Sequence, residues 1–192
     1  ASHAGTTPMD RRRDAVGAVA ELVLFLERRA AADGDSVGTV GIVEVPSGSI
    51  NVVPGRCRFT LDLRAPVDAQ RQSLADDVLG ELQAICLRRG LRHTVEESLS
   101  AKAAPSDAGA QARWERAVAA LGVPVHRMPS GAGHDAMKLH EVMPQAMLFV
   151  RGGNSGISHN PLEEITADDA QLCVDAFRGY LGELAKDLEQ ER

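Results

Sequence analysis

Residues Arg56 to Arg64 alternate without interruption: Cys57, Phe59, Leu61 and Leu63 fall on one side, and Arg58, Thr60, Asp62 and Arg64 on the other. A sustained period of two is the pattern of a strand with one wet face. It calls for an antiparallel sheet whose apolar face is covered by helices. The flanking segments supply that cover. Thr7-Pro8-Met9-Asp10 carries the signals of a helix start: a Thr cap, Pro at the first helical position and an acid in the first turn. Ala15, Val19, Leu22 and Leu26 then recur at helical spacing until Gly34 supplies a stop. Asp68 is placed to cap a second helix with Leu74, Val78, Leu82 and Ile85 on one stripe and Gly90 beyond its end. Val37 to Val45 is rich in β-branched residues and reads as a strand, and Pro46-Ser-Gly-Ser and Pro54-Gly55 are turns. Leu91 to Leu99 reads as a third, more polar strand. Residues 8–100 therefore read α-β-β-α-β, which lacks the first strand of a βαββαβ sandwich. Such a remnant leaves a strand edge for a partner chain or an omitted segment to cover.

The small-residue, Pro-containing stretch Ala101 to Gly109 marks a domain boundary. After it come a helix near 110–121 carrying Trp114 and Val118, a short strand near Val123–Arg127, and a Gly-rich turn, Ser130-Gly-Ala-Gly-His-Asp-Ala136. A short helix follows. Ala146 to Val150 is continuously apolar, as in a strand buried on both faces of a parallel sheet. It leads into a second Gly-rich turn, Arg151-Gly-Gly-Asn-Ser-Gly-Ile-Ser-His-Asn-Pro161, and a final amphipathic helix over roughly 167–188.

With 192 residues, 44% hydrophobic and 25% charged, the chain can bury a real core. Its formal charge of −6 argues against a nucleic-acid surface, and no basic stripe with interleaved aromatics is present. The triplet Arg11-Arg12-Arg13 reads as a solvated helix face rather than a phosphate site. Cys57, Cys86 and Cys173 are odd in number and widely spaced, which suits a reducing cytoplasm better than disulfides or a zinc knuckle. No apolar run approaches membrane-spanning length, and no signal-peptide pattern opens the chain.

Reactive groups collect in the turns, which buried strands hold rigidly while leaving them open to a ligand. His159 follows an apolar segment among Gly152, Gly153 and Gly156; it reads equally as a metal ligand or as a strand-end hydrogen-bonding residue. A complete metal site needs at least three protein ligands, and His159 has no companions nearby in sequence. His134-Asp135 opens a helix after Gly131 and Gly133. The pair either lines an anion-binding turn or does no more than cap and pack. His3 precedes a helix start, where it either donates to an oxyanion or is simply a terminal residue. Arg64 and Asn51 could clamp a carboxylate, the one bidentate and the other orienting, or could each be ordinary surface residues. His93, His126 and His140 have no supporting context. No Gly-x-Ser-x-Gly elbow, P-loop or dinucleotide fingerprint occurs.

Five motifs occur together and in order: His3-Ala-Gly-Thr-Thr-Pro-Met9, Ile50-Asn51-Val-Val-Pro-Gly55, Leu61-Asp62-Leu-Arg64, Ser130-Gly-Ala-Gly-His-Asp-Ala136 and Gly156-Ile-Ser-His159-Asn-Pro161. In that order they resemble the hydantoinase/carbamoylase branch of the M20 metallopeptidase-like amidohydrolases, the branch of N-carbamoyl-L-amino-acid hydrolases, allantoate amidohydrolases and β-ureidopropionases. The resemblance runs from Ala1 to about Leu184. It implies an α/β (α+β) architecture in which residues 1–104 are a ferredoxin-like lid and dimerisation domain lacking most of its first strand. Residues 105–192 would be the C-terminal segment of an α/β zinc-peptidase-like catalytic domain. It further implies hydrolysis of the carbamoyl C–N bond of N-carbamoyl-L-amino acids or allantoate, two divalent metal ions (zinc or manganese), a small ureido-acid substrate, and a cytoplasmic homodimer formed through the lid.

Carried over by motif, His159 is the metal ligand of this segment and His3 the lid histidine that polarises the scissile carbonyl. Asn51 and Arg64 hold the substrate carboxylate, and His134, Gly156 and Ser158 line the pocket. The family's His-x-Asp pair, its Glu-Glu pair and a further His are absent from these residues. The chain therefore reads as a fragment, inactive alone and unable to hold both metals. The alternative is a non-catalytic dimerisation or binding module.

Overall fold

The structure, a computed structural model, describes residues 1–190. The chain divides into two compact units, Ala1–Ala103 and Ala104–Arg192.

In the first unit the alternating segment does what its pattern demands. Phe59, Leu61 and Leu63 pack on the core, while Arg58, Thr60, Asp62 and Arg64 are exposed. Two helices cover the apolar side, α1 (Ala15–Asp33) and α2 (Asp68–Arg89). Ala18, Leu22, Leu26 and Ala30 from α1 meet Leu74, Val78, Leu82, Ile85 and Cys86 from α2. Both helices end in the left-handed region at Gly34 (φ 77°) and Gly90 (φ 64°), as expected.

The strands are short and pair antiparallel: β1 (Ser2–His3) with β4 (Val52–Val53), β2 (Val37–Thr39) with β6 (Asp62–Arg64), and β3 (Val43–Glu44) with β5 (Arg58–Phe59). The expected strand Val37–Val45 is thus broken in two. Thr39 faces Asp62 and Val43 faces Phe59, so Val40, Gly41 and Ile42 stand opposite only Thr60 and Leu61. The extra residue makes a bulge. Thr60 bridges it, its N–H donating to the Ile42 carbonyl and its Oγ1 accepting from the Ile42 N–H, both at 3.1 Å.

Several expectations require correction. The first helix does not start at Thr7. Met9–Arg11 form one 3₁₀ turn, and α1 begins after Asp14, whose carboxylate accepts from the N–H groups of Val16 (2.9 Å) and Gly17 (3.2 Å). The Thr7 hydroxyl donates instead to the His3 carbonyl at 2.7 Å. Asp68 is the first residue of α2 rather than its cap, and its carboxylate accepts from the Ala103 N–H at 2.9 Å. Leu91–Leu99 forms no strand, and residues 92–100 are exposed. No described strand is placed to complete a ladder with it, and its far end is tied instead to α2 through Arg71 and Ser100. Of the Arg triplet, Arg11 and Arg13 are exposed, but Arg12 is turned inward and half-buried.

In the second unit, α3 (Ala108–Ala120) is capped by Asp107, whose carboxylate accepts from the Ala110 N–H at 2.8 Å. It packs on α5 (Ala167–Gln190), and the short α4 (Ala136–Leu139) lies between them in sequence. Trp114 fills the contact, edge-on to Phe177 (4.7 Å between centroids) and stacked on Tyr180 (4.3 Å). A Cβ on Gly179 would stand 3.2 Å from that of Ala117, so small residues let the two helices approach closely. Arg113–Asp187 and Arg116–Glu183 pairs (2.6 Å each) flank the seam. The expected strands at Val123–Arg127 and Ala146–Val150 do not form. Pro124 removes a donor from the first. The second finds no ladder among the described residues, and Phe149 and Val150 are exposed rather than buried.

Two predictions test this account of the first unit. A Cβ on Gly38 would come within 2.4 Å of Leu26 Cδ1, and Leu26 is locked in the core. Gly38→Ala is therefore expected to destabilise by about 1–3 kcal/mol in urea melts through overpacking. Asp33 is held down to about 2 by hydrogen bonding from Ser36, whose N–H donates to Oδ1 at 2.8 Å, then by the backbone N–H of Asp35 and by Arg29. A depressed carboxylate stabilises above its ordinary range of about 4 and loses that contribution as pH falls towards 2. Asp33→Asn should therefore lower the melting temperature at neutral pH, and the gap from wild type should close near pH 2. A gap of equal size at both ends would refute the assignment.

Candidate functional site

The β1–β4 ladder brings two of the sequence-selected residues together. His3 faces Val52, and the Ala4 N–H donates to the Asn51 carbonyl at 2.8 Å, so His3 and Asn51 are neighbours on one edge of the first unit. His3 is exposed, yet its ring is not loose. Nδ1 accepts from the Gly5 N–H at 3.0 Å. A ring nitrogen that accepts carries no proton, so the neutral imidazole bears its proton on Nε2. Gly5 permits this because a Cβ there would stand 3.3 Å from His3 Cε1. The side chain of Asn51 accepts from the Ser49 hydroxyl at 2.9 Å, which leaves its amide group as a donor head.

Arg64 lies on the β2–β6 ladder of the same unit. Its Nε and Nη2 donate to the two carboxylate oxygens of Asp62 at 2.8 and 2.7 Å, a fork-to-fork pair two residues apart on one strand face. Arg64 holds the Asp62 carboxyl below its ordinary value, and Asp62 raises the guanidinium in return. The pair fixes the plane of a group shaped for carboxylates.

His134, Gly156, Ser158 and His159 belong to the second unit, and all four are exposed. At the first Gly-rich turn the structure departs from the capping reading of His134-Asp135. The Asp135 side chain caps nothing. The His134 Nδ1 itself accepts from the Ala136 N–H at 3.1 Å.

The second turn is zipped by nested contacts. At its base Arg151 donates to Asp169 Oδ1 through Nε (2.9 Å) and Nη2 (2.5 Å), and Thr166 Oγ1 donates to Asp169 Oδ2 at 2.6 Å. These donors hold the buried Asp169 carboxyl low, Arg151 first and then Thr166. Further in, the Gly153 N–H donates to the Glu164 carbonyl (2.9 Å) and Asn154 Nδ2 to the Leu162 carbonyl (2.7 Å). Glu164 presses so close that a Cβ on Gly153 would lie 2.7 Å from its Cγ. His159 sits at the tip in the left-handed region (φ 54°), its N–H donating to Glu163 Oε2 at 2.9 Å. A non-Gly residue at positive φ is held there by its surroundings, here the Glu163 carboxylate and the zipped turn.

Three structurally important residues were not singled out from the sequence. Asp169 and Glu163 carry no reading from the sequence pattern, and Arg12 reads only as one of a solvated triplet. The only signal for Asp169 was the spacing Thr166-x-x-Asp169, a capping-box pattern. No group of three or more His, Cys, Asp or Glu side chains among the described residues could hold a metal ion. Among the described residues His159 therefore belongs to no such group, and those residues do not by themselves fit a metal centre.

Comparison with known proteins identifies the family of the chain. The model of peptidase family M20/M25/M40 matches residues 3–183. The chain is 37% identical over 186 residues to an N-carbamoyl-L-amino acid amidohydrolase of Geobacillus stearothermophilus, covering 97% of this chain and 45% of that protein. It is 31% identical over 185 residues to an allantoate amidohydrolase of Bacillus subtilis, covering 96% and 45%. The crystal structure of a hydantoinase/carbamoylase family amidase from Burkholderia multivorans matches with a TM-score of 0.89 at 33% identity, over 93% of this chain and 44% of that one. The chain thus spans a little under half the length of the curated relatives it matches. With a family model that runs almost from end to end and relatives of one branch that cover nearly all of it, the chain belongs to peptidase family M20/M25/M40.

Proposed function

We propose that this chain is part of a metal-dependent amidohydrolase that cleaves the carbamoyl C–N bond of N-carbamoyl-L-amino acids or allantoate. The observation that carries the reading is the His3 imidazole, fixed with Nδ1 accepting and Nε2–H available, beside Asn51 on one ladder. In this reading Nε2–H donates to the ureido carbonyl oxygen, where negative charge develops as the tetrahedral intermediate forms. Arg64, its guanidinium plane set by Asp62, takes the substrate carboxylate as a bidentate partner, and the Asn51 amide orients it. His134, Gly156 and Ser158 line the pocket from the second unit's turns. The names of the relatives in Geobacillus and Bacillus support both substrate classes.

Residues 1–104 are read as the lid and dimerisation domain, a ferredoxin-like βαββαβ sandwich missing most of its first strand. Two helices packed on one face of short antiparallel ladders support this. Residues 105–192 are read as the end of the catalytic domain. The two divalent ions, zinc or manganese, would draw one ligand from His159 and the remainder from residues outside this chain. Bound, they would supply Lewis-acid polarisation and an activated water. A homodimer through the lid and a cytoplasmic setting belong to the same reading. Among the described residues no helix is long and apolar enough to cross a membrane, and all three cysteines are free.

A second reading is a non-catalytic dimerisation or binding module; among the described residues no group of three or more His, Cys, Asp or Glu could hold a metal ion. The two diverge on metal content. By elemental analysis the purified 192-residue chain is expected to hold fewer than two zinc or manganese ions and to leave N-carbamoyl-L-amino acids and allantoate intact. Two bound ions per chain would overturn the ligand assignment. In a protein of the relatives' length carrying this segment, His3→Ala should lower kcat by roughly 10²–10³ with KM little changed. Arg64→Lys should instead raise KM roughly tenfold, because an ammonium cannot reproduce the fork. Unchanged kinetics in both variants would sink the proposal.

A further inference from the structure

The ten residues from His3 to Arg12 fold back on themselves around one cation. The His3 carbonyl gathers the Thr7 N–H (3.1 Å), the Thr6 N–H (3.4 Å) and the Thr7 hydroxyl (2.7 Å). This closes a tight loop whose Ala4 and Thr7 carbonyls face the Arg12 side chain. Its Nη2 donates to the Ala4 carbonyl at 2.5 Å and its Nε to the Thr7 carbonyl at 3.1 Å, so one guanidinium ties both ends of the loop. The Ala4 N–H is held from the other side by the Asn51 carbonyl. Between these two ties lies Gly5, whose N–H donates to His3 Nδ1.

We infer that Arg12 is the positioning residue for His3, locking the loop so that Gly5 N–H holds Nδ1 and the Nε2–H is turned outward. The inference deepens the reading of His3 as the carbonyl donor and rests on it for its functional meaning. The geometry itself does not depend on that reading. Arg12 suits the task because a planar fork can reach two carbonyls at once and remains charged, whereas a lysine ammonium is a single point of donation. Its two neighbours provide the contrast. Arg11 is exposed and pairs with Asp10, and Arg13 is exposed, so neither reaches the loop carbonyls.

The test uses nuclear magnetic resonance on the purified chain, above the pH at which histidine titrates. In the wild type, the His3 nitrogen shifts should show an unprotonated Nδ1 and a protonated Nε2, with a through-hydrogen-bond coupling between Gly5 N and His3 Nδ1. In Arg12→Met the coupling should vanish and Gly5 amide exchange should quicken about tenfold, the scale of one lost hydrogen bond. Arg12→Lys should fall between the two, and Arg11→Met should match the wild type. A proton on Nδ1 in the wild type would overturn the inference, as would an unchanged coupling and exchange rate in Arg12→Met. So would an equal loss in Arg11→Met, which would point to charge alone.

The wild-type measurement does not depend on any variant folding. Far-UV circular dichroism checks that the α1–α2 core survives in the variants. Kinetics of the relatives-length protein separate the two ideas. If His3→Ala leaves hydrolysis intact while the coupling is present, the functional reading fails and the positioning role stands. If His3→Ala abolishes turnover while Arg12→Met leaves the coupling unchanged, the reverse holds.

Discussion

Apolar contact between two helices and one face of a short ribbon carries the first unit. Leu22 and Leu26 on α1 meet Leu74, Val78 and Ile85 on α2, and Phe59, Leu61 and Leu63 close the cluster from the strand side. Everything that bears on chemistry in this unit hangs from that contact. The outward face of the same ribbon presents Asp62 and Arg64 because its inward face is committed to the core. The start of α1 is fixed because its buried stripe is. Once Asp14 caps that helix, the preceding residues are left free to fold as a separate loop around Arg12. Charge pairs add to the helix contact without replacing it. Glu21 reaches from α1 to Arg88 and Arg89 on α2, and Arg29 reaches to Asp77. Such half-exposed pairs contribute little singly and act mainly to set the register between the two helices.

The elements governed by side-chain periodicity were legible in the sequence. Leu74, Val78, Leu82 and Ile85 announced α2 and are buried in it together with Cys86, and the two-residue alternation over 56–64 matches exposure residue by residue. Both helix-ending glycines were readable because a left-handed terminus is nearly a glycine property. The segments that misled were those whose structure depends on a neighbour. Apolar content alone did not make a strand of Ala146–Val150, since a strand exists only where another backbone accepts its hydrogen bonds. Thr7 looked like a cap because capping is a local rule, but the helix starts later, at Asp14, and the Thr7 hydroxyl closes a loop on the His3 carbonyl instead.

The candidate site was legible in part. Motif order pointed to His3, Asn51, Arg64, His134 and His159, and pattern alone could not show what holds them. The supporting residues carry no signature of their own. Arg12 differs from Arg11 and Arg13 only in where its side chain is directed, and Glu163 meets the His159 N–H with its carboxylate, whereas Glu164 meets the Gly153 N–H with its main-chain carbonyl. Such roles follow from tertiary geometry, which a single chain of letters does not encode at the level of one residue. The two units also hold their site residues differently. In the first, a backbone ladder sets His3 beside Asn51. In the second, side chains pin a long turn at its base, and the histidine at its tip takes a backbone conformation that costs energy to maintain.

The aromatic contact between α3 and α5 has a practical side. The chain has one tryptophan and one tyrosine, and Trp114 and Tyr180 stack on each other within the second unit. Near-ultraviolet absorption and intrinsic fluorescence therefore come almost wholly from residues 104–192. The half that carries His3, Asn51 and Arg64 is optically dark. A denaturation curve recorded by emission follows one half of the molecule and is blind to the other, so comparing it with a helix-sensitive probe separates the unfolding of the two units without any added label.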